Sequence, residues 1–492
     1  MLILRFASQI FSFSALIILT RMLGPTQYGI YSYIISVMLF ASLFNIFGFN
    51  DVMVREILSQ PDKRNEIYRS GVSIKLILGA VGYVTTEFIV LKFNLFPVPT
   101  WVSLTIGLTI FTSFTMGSVR MIWDVPYQID FRMVSASLFN LFSKGLFFIL
   151  IIGIISWNYL NTQSLESYSF LHSFFTGSFP GGVSIALVLL IIAEFSGLFV
   201  QAEANRRYLY SMIPMWDSSI IRNLVHEIWP MAISGALLML ISRINIWMIR
   251  WFLSDHDVGL FAAPMQMVEA LYIIPTVIMA TTLPILSKSF RHNQAEFKQT
   301  LIVISKLMLL IYTAIAGIIS FHSDELIQIL FGSEFTESSS VMSIYIWNAM
   351  MVCGVALFHS TVIAVGRQRW LMVSYAVHLI YLLALNLYLI PRYGIIGAAG
   401  GFLASYGLLF VSLLFIPKIN FIGKIWISTA LLPVTVAILI GWATSQLQLG
   451  LWISIPVIPI ILGGVLFASG WFPKSDIAMV KKLLQSRGMG RK

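Results

Sequence analysis

Asp51-Val52-Met53-Val54-Arg55-Glu56-Ile57-Leu58-Ser59-Gln60-Pro61-Asp62-Lys63-Arg64-Asn65-Glu66-Ile67-Tyr68-Arg69 joins two strongly apolar runs, residues 29–50 and 70–91, and carries four cationic side chains. The next connection along the chain, 92–99, holds only Lys92, and the one after it is basic again, with Arg120 and Arg132. The alternation continues outward from there. Arg206, Arg207 and Arg222, then Lys288, Arg291 and Lys298, then Arg367 and Arg369, then Lys418 and Lys424 fall in every second connection. Between them the links are nearly bare: Arg21, Lys92, Arg250 and Arg392 are the cations there. Positive charge concentrated on one side of a series of apolar runs is the signature of a polytopic membrane protein whose basic loops face the cytoplasm.

Composition agrees. Hydrophobic residues make up 58% and charged residues 11% of the 492-residue chain, against about 45–50% and 25% in soluble domains. At about 20 apolar residues per crossing there is length for a dozen or more helices, and no polar stretch large enough for a soluble catalytic domain. The net charge of +10 is spread over cytoplasmic loops and the tail, which points to anionic lipid head groups rather than nucleic acid. The lone Cys353 lies in an apolar run, so no intramolecular disulfide and no thiolate metal cluster is available. Met1–Thr20 has only Arg5 before its apolar run and no small-residue cleavage site, so it reads as a retained first span rather than a leader.

The expected fold is all-α, with about fourteen membrane helices at 2–20, 29–50, 70–91, 100–119, 133–156, 181–203, 226–250, 258–284, 303–321, 341–365, 371–390, 393–416, 425–445 and 451–470. An even number with a cytoplasmic start puts both termini inside. The polar stretch 204–225 divides the chain into an N-terminal six-helix lobe, 1–203, and a C-terminal one, 226–417, with 418–492 as two extra helices and a basic tail. A repeat supports the halves: Gly29-Ile30-Tyr31-Ser32 recurs as Gly259-Leu260-Phe261-Ala262 at an offset of 230, and Met133-Val134-Ser135 as Met372-Val373-Ser374 at 239. Six spans per half make the repeats parallel, related by an axis along the membrane normal.

No zinc-protease, hydrolase-elbow or P-loop pattern occurs, so the chain is expected not to be an enzyme and to need no cofactor. The informative residues are charges inside spans. Each costs roughly 2.5–3.5 kcal/mol at the bilayer centre on insertion scales, so it faces a cavity or a partner. Arg243 lies deep in the seventh span and Lys144 in the middle of the fifth; Glu194 and Glu269 are acids at comparable depth. Two readings stand. Arg243 is neutralised structurally by Glu269 or Glu194, or Arg243, Lys144, Arg21 and Arg55 line a watery cavity and bind an anion. Pyrophosphate suits the second, because the planar guanidinium fork matches phosphate oxygens. Lys75 and Lys306 sit near span ends, where long side chains snorkel to the interface. Glu269 is the candidate for exchanging a salt bridge against a proton or sodium ion.

The segment Leu19-Thr20-Arg21-Met22-Leu23-Gly24-Pro25-Thr26-Gln27-Tyr28-Gly29-Ile30-Tyr31 resembles the first-span signature of bacterial polysaccharide repeat-unit flippases of the O-antigen type. These belong to the multidrug/oligosaccharidyl-lipid/polysaccharide exporter superfamily. Further matches follow in order: Val54-Arg55-Glu56, Pro230 with Ser242-Arg243-Ile244-Asn245, Val258-Gly259-Leu260-Phe261, Leu330-Phe331-Gly332-Ser333-Glu334-Phe335, and Leu389-Ile390-Pro391-Arg392-Tyr393-Gly394. They cover about residues 14–416. The resemblance implies two six-helix lobes around a cavity open alternately to each side. The substrate it implies is an undecaprenyl-pyrophosphate-linked glycan, flipped from the cytoplasmic to the outer leaflet of the bacterial inner membrane and driven by a proton or sodium gradient. Membrane lipids and a polysaccharide polymerase are the implied partners. Many relatives carry Asp where this chain has Asn245 and Tyr where it has Phe261, so an ion-coupling role at Asn245 lacks the carboxylate. The competing functions are a drug/cation antiporter of the same superfamily, which would favour acidic cavity residues, and a membrane polysaccharide polymerase, which would need more chemistry on 157–180 than Glu166 and His172 supply.

Overall fold

The computed structural model describes residues 2–41, 49–92, 117–129, 133–161, 181–204, 213–367, 369–416 and 419–485. The predicted span 100–119 lies almost wholly outside these, as do the link 162–180, Arg132, Arg206, Arg207, Lys418 and the last residues of the basic tail. The described residues form seventeen α-helices: α1 (Leu2–Ala41), α2 (Phe49–Ser59), α3 (Arg64–Lys92), α4 (Gly117–Ile129), α5 (Met133–Asn161), α6 (Gly181–Ala204), α7 (Ser218–Phe252), α8 (Asp255–Ala270), α9 (Ile273–His292), α10 (Gln294–Phe321), α11 (Ser323–Phe331), α12 (Ser338–Tyr345), α13 (Trp347–Ala364), α14 (Arg369–Leu413), α15 (Asn420–Gln446), α16 (Leu451–Ala468) and α17 (Lys474–Gln485). Among the described residues no strand is present. The chain is a multi-pass, all-α membrane protein.

Among the described residues eleven helical segments are long and apolar enough to cross a bilayer. Two of them hold two predicted spans each. α1 contains both 2–20 and most of 29–50, and the expected outer link 21–28 shrinks to one non-helical residue, Gly24, at φ 66°. α14 is 45 residues long and breaks at Gly394, φ 59°, three residues after Pro391. The two arms pack back on each other, since a Cβ on Gly397 would fall on the Leu389 carbonyl and one on Gly401 on the Asn386 side chain. The arms, of 25 and 19 residues, run about 38 and 28 Å, each one crossing of a ~30 Å hydrocarbon core. A positive φ is inexpensive only for glycine, which is why these breaks fall where they do. Several serine and threonine hydroxyls inside the spans donate to the preceding turn, as Thr20 to Leu16 O, Ser305 to Leu301 O and Thr361 to Leu357 O, which satisfies them within their own helix.

The chain divides into two compact units, Met1–Gly259 and Leu260–Lys492. In the first, α1 packs on α5, α6 and α7, and α2 on α3, α4 and α7. α7 begins at Ser218, eight residues before the predicted start, because Asp217 accepts from the Ser219 and Ile220 amides as its N-cap. These bonds, led by the one from the Ser219 hydroxyl, hold the Asp217 carboxyl below the usual carboxylate range. The strand of linker before it is tied to α3: Arg69 Nε donates to Ile213 O at 2.9 Å and Ser73 to Met215 O at 2.8 Å. Exposed Trp216 and Trp229 mark one end of α7 and exposed Trp251 the other. Trp229 and Trp251 are about 33 Å apart along the helix, matching two interfacial aromatic belts.

Near Gly29 and Gly259, α1 and α8 meet without side chains between them. A Cβ on Gly29 would fall on the Asp255 carbonyl, and a Cβ on Gly259 on the Pro25 carbonyl. Pro25 and Asp255 are separated by the same 230 residues as Gly29 and Gly259. Equivalent positions of the sequence repeat thus touch reciprocally, in the close backbone approach that small residues permit.

In the second unit α10 is central, packed by α9, α12, α13, α15, α16 and α17. A run of rings joins α8 to α12 and α14: Phe261 edge-on to Tyr345 at 5.5 Å, Tyr345 stacked on Phe402 at 5.5 Å, Phe402 edge-on to Tyr406 at 5.1 Å, and Tyr406 against His378 at 4.3 Å. Cys353 is wholly buried on α13. It meets the Tyr312 hydroxyl, which also donates to the Leu271 carbonyl between α8 and α9. Lys306 does not snorkel: Nζ donates to the buried Asp476 of α17 at 2.7 Å and to Trp471 O, and lies over the Trp471 and Phe472 rings. Lys75 does not either; it is 1% exposed, 4.7 Å over the Phe49 ring.

Candidate functional site

The four cations expected to bind an anion, Arg21, Arg55, Lys144 and Arg243, all fall in the first unit, on α1, α2, α5 and α7, helices that pack on one another. They are not one cluster. Arg21 is exposed three residues before the Gly24 break, at the end of the first crossing. Arg55 is exposed at the opposite, basic end. Arg243 is half-buried, about 21 Å from Trp229 and about 12 Å from Trp251 along α7, with Asn245 beside it at 1% exposure. Lys144 is half-buried in α5. The cations are thus staggered through the thickness of the unit.

Local packing sets the Arg55 position. Phe49, Val52, Met53 and Ile57 recur at helical spacing on α2 and bury against Ile67 and Tyr68 of α3, Ile122 and Val125 of α4, and Leu224 and Ile228 of α7. Arg55 lies between Met53 and Ile57, and Glu227 next to Ile228, so both are carried to the rim of this core. Arg55 Nη2 donates to Glu227 Oε2 at 3.0 Å and to Glu56 Oε1 at 3.3 Å. The bond to Glu227 raises the Arg55 pKa further above its ordinary value.

Lys144 is paired. Its Nζ lies 3.5 Å from Glu194 Oε1 of α6, beside a seam of Ala15, Phe147, Ile151, Leu189 and Ala193. Glu194, weighed from sequence as a partner for Arg243, therefore neutralises Lys144. At the C-terminal end of α7 Arg250 bonds Asp255 and lies 4.2 Å over the Tyr33 ring, and Trp247 Nε1 donates to Ser36 Oγ at 2.9 Å. The partners Glu227, Tyr33 and Asp255 were missed by sequence reasoning. Glu227 offered one signal: it is an acid in the first turn of the predicted span 226–250, three residues before Pro230.

Glu269 lies in the second unit, next to the end of α8. It interacts electrostatically with Tyr272 and Tyr406. The Tyr272 hydroxyl is buried and has no hydrogen-bond partner among the described residues.

Two all-helical units built from apolar helices long enough to cross a bilayer define the class, a multi-pass all-α membrane protein. The chain matches the family model for polysaccharide biosynthesis proteins over residues 1–290, and it belongs to that family. A capsular polysaccharide biosynthesis protein CapF of Staphylococcus aureus is 23% identical over 81% of this chain and 93% of that one. A probable low-salt glycan biosynthesis flippase, Agl15 of Haloferax volcanii, is 28% identical over 32% of this chain and 34% of its own length, so the chain aligns with about a third of that relative. Among solved structures, a lipid II flippase MurJ in an inward closed conformation superposes with a TM-score of 0.66 over 95% of this chain and 98% of that one, at 13% identity. An inward-facing multidrug resistance MATE transporter of the MOP superfamily gives 0.62 over 85% and 96%, at 11%. At such identities these two likenesses are of fold.

Proposed function

We propose that this protein is a flippase that moves an undecaprenyl-pyrophosphate-linked oligosaccharide, the repeat unit of O-antigen or another surface polysaccharide, from the cytoplasmic to the outer leaflet. The observation that carries the reading is the stagger of Arg55, Lys144, Arg243 and Arg21 through one packed helical unit. A pyrophosphate handed from one guanidinium or ammonium to the next keeps its charge compensated at every depth, while the lipid tail stays in the bilayer. Family membership and the names of the two relatives support the substrate class. The chain works in the bacterial inner membrane with both termini in the cytoplasm, and it catalyses no covalent step. A polysaccharide polymerase takes over the product. A proton or sodium gradient biases the two states through Glu269, with Asn245 as a neutral ligand; the unpartnered Tyr272 hydroxyl beside Glu269 supports an ion or water there.

Reconstitution tests this. In liposomes loaded with a fluorescent undecaprenyl-pyrophosphate oligosaccharide, the protein should expose the inner-leaflet sugar to an external lectin, and a cationic dye should not compete. Dye transport without glycan flipping would replace this reading with the antiporter. Reporter fusions after Asn65 and Gln294 should report cytoplasm.

A further inference from the structure

The Arg55–Glu227 pair has a geometry suited to exchange. Both described bonds of Arg55 use a single nitrogen, Nη2. The two edges of the guanidinium that present parallel N–H groups, Nε with Nη2 and Nη1 with Nη2, both include Nη2, so a phosphate oxygen pair can take the fork only where a carboxylate now on Nη2 gives way. The pair is also open to solvent, with side chains 58% and 49% exposed. An ion pair so placed is screened and contributes little, whereas a buried one would resist separation by several kcal/mol. Glu56 holds Arg55 from its own helix; Glu227 holds it from α7.

We infer that Glu227 is a placeholder for the substrate's anionic group: it keeps the Arg55 guanidinium aimed at the cytoplasmic rim, then yields it to the pyrophosphate on loading. The inference rests on the pyrophosphate role of Arg55 proposed above and adds a positioning residue to it. Exchange of the carboxylate for phosphate also unties α2 from α7, so loading loosens the join between these helices.

Inorganic pyrophosphate is the probe, titrated by calorimetry into the full-length protein in zwitterionic nanodiscs. Glu227→Gln should bind it about fivefold more tightly, which converts to ~1 kcal/mol. Glu66→Gln removes the same charge from the exposed first turn of α3 and should change nothing, and Glu227→Asp should fall near the unaltered protein. Arg55→Gln should weaken binding, and Glu227→Gln added to it should have no further effect. Tightening by Glu66→Gln equal to that by Glu227→Gln, or tightening that persists without Arg55, overturns the placeholder while leaving Arg55 as the anion site. Unchanged affinity in Arg55→Gln overturns the role of Arg55 itself, and the placeholder with it. Phosphatidylglycerol added to the discs should not displace pyrophosphate; displacement would make Arg55 a lipid head-group contact instead.

Discussion

Gly29 and Gly259 occupy equivalent places in the two sequence repeats, and each lies against the backbone of the other's helix. The first prediction follows from the lack of space. Gly29→Ala puts a methyl group onto the Asp255 carbonyl and Gly259→Ala one onto the Pro25 carbonyl. Overpacking of this kind costs about 1–3 kcal/mol, so each should lower the melting temperature in detergent, and the pair should be less than additive because one shift relieves both. Gly153→Ala, with open space around it, is the control and should be neutral.

Arg243 separates transport from folding. Arg243→Ala should abolish surface glycan while protein abundance stays near normal, and Arg243→Lys should restore part of the export because charge remains without the fork. Abundance falling in step with glycan would mean that Arg243 is a structural counter-charge.

Glu269 and Tyr272 are tested together. Glu269→Gln should slow export and remove its dependence on the ion gradient, measured in vesicles with proton and sodium gradients collapsed separately. Tyr272→Phe deletes a buried hydroxyl that has no described partner, so stability should hold or rise while gradient dependence weakens. Export by the unaltered protein that ignores both gradients rules the coupling out.

The Lys306–Asp476 pair is nearly buried, with side chains 12% and 1% exposed. Lys306→Met should destabilise by about 3 kcal/mol, because Asp476 is left as a buried charge. The double change Lys306→Met with Asp476→Leu should recover most of the loss. Protease cutting before α17, with and without these changes, reads the docking of that helix directly.

Much of this architecture is written locally and could be read. Alternating loop charge, apolar length and in-span polar residues are properties of short windows, so the membrane class and the depth of Arg243 and Lys144 were legible. The repeat at an offset of 230 was legible too, but the touching of Gly29 with Gly259 was not, since nothing near either glycine encodes a partner that far away. Polarity misled at Arg21–Tyr28, where Thr26 and Gln27 resemble a loop although one glycine φ suffices for the break. The start of α7 was set by Asp217, a cap whose signal is a single residue. The partners of Arg55 and Lys144 lie 172 and 50 residues away, and only packing brings them in.

The solitary thiol of this chain has a practical consequence. Cys353 is sealed inside the second unit against Tyr312, so maleimide reagents and spin labels will pass it by in the folded protein. The native sequence already serves as its own silent background for distance spectroscopy. Reporter cysteines placed at exposed positions such as Leu58 and Trp251 will respond alone, and the motion of each helix end can be followed without first redesigning the interior.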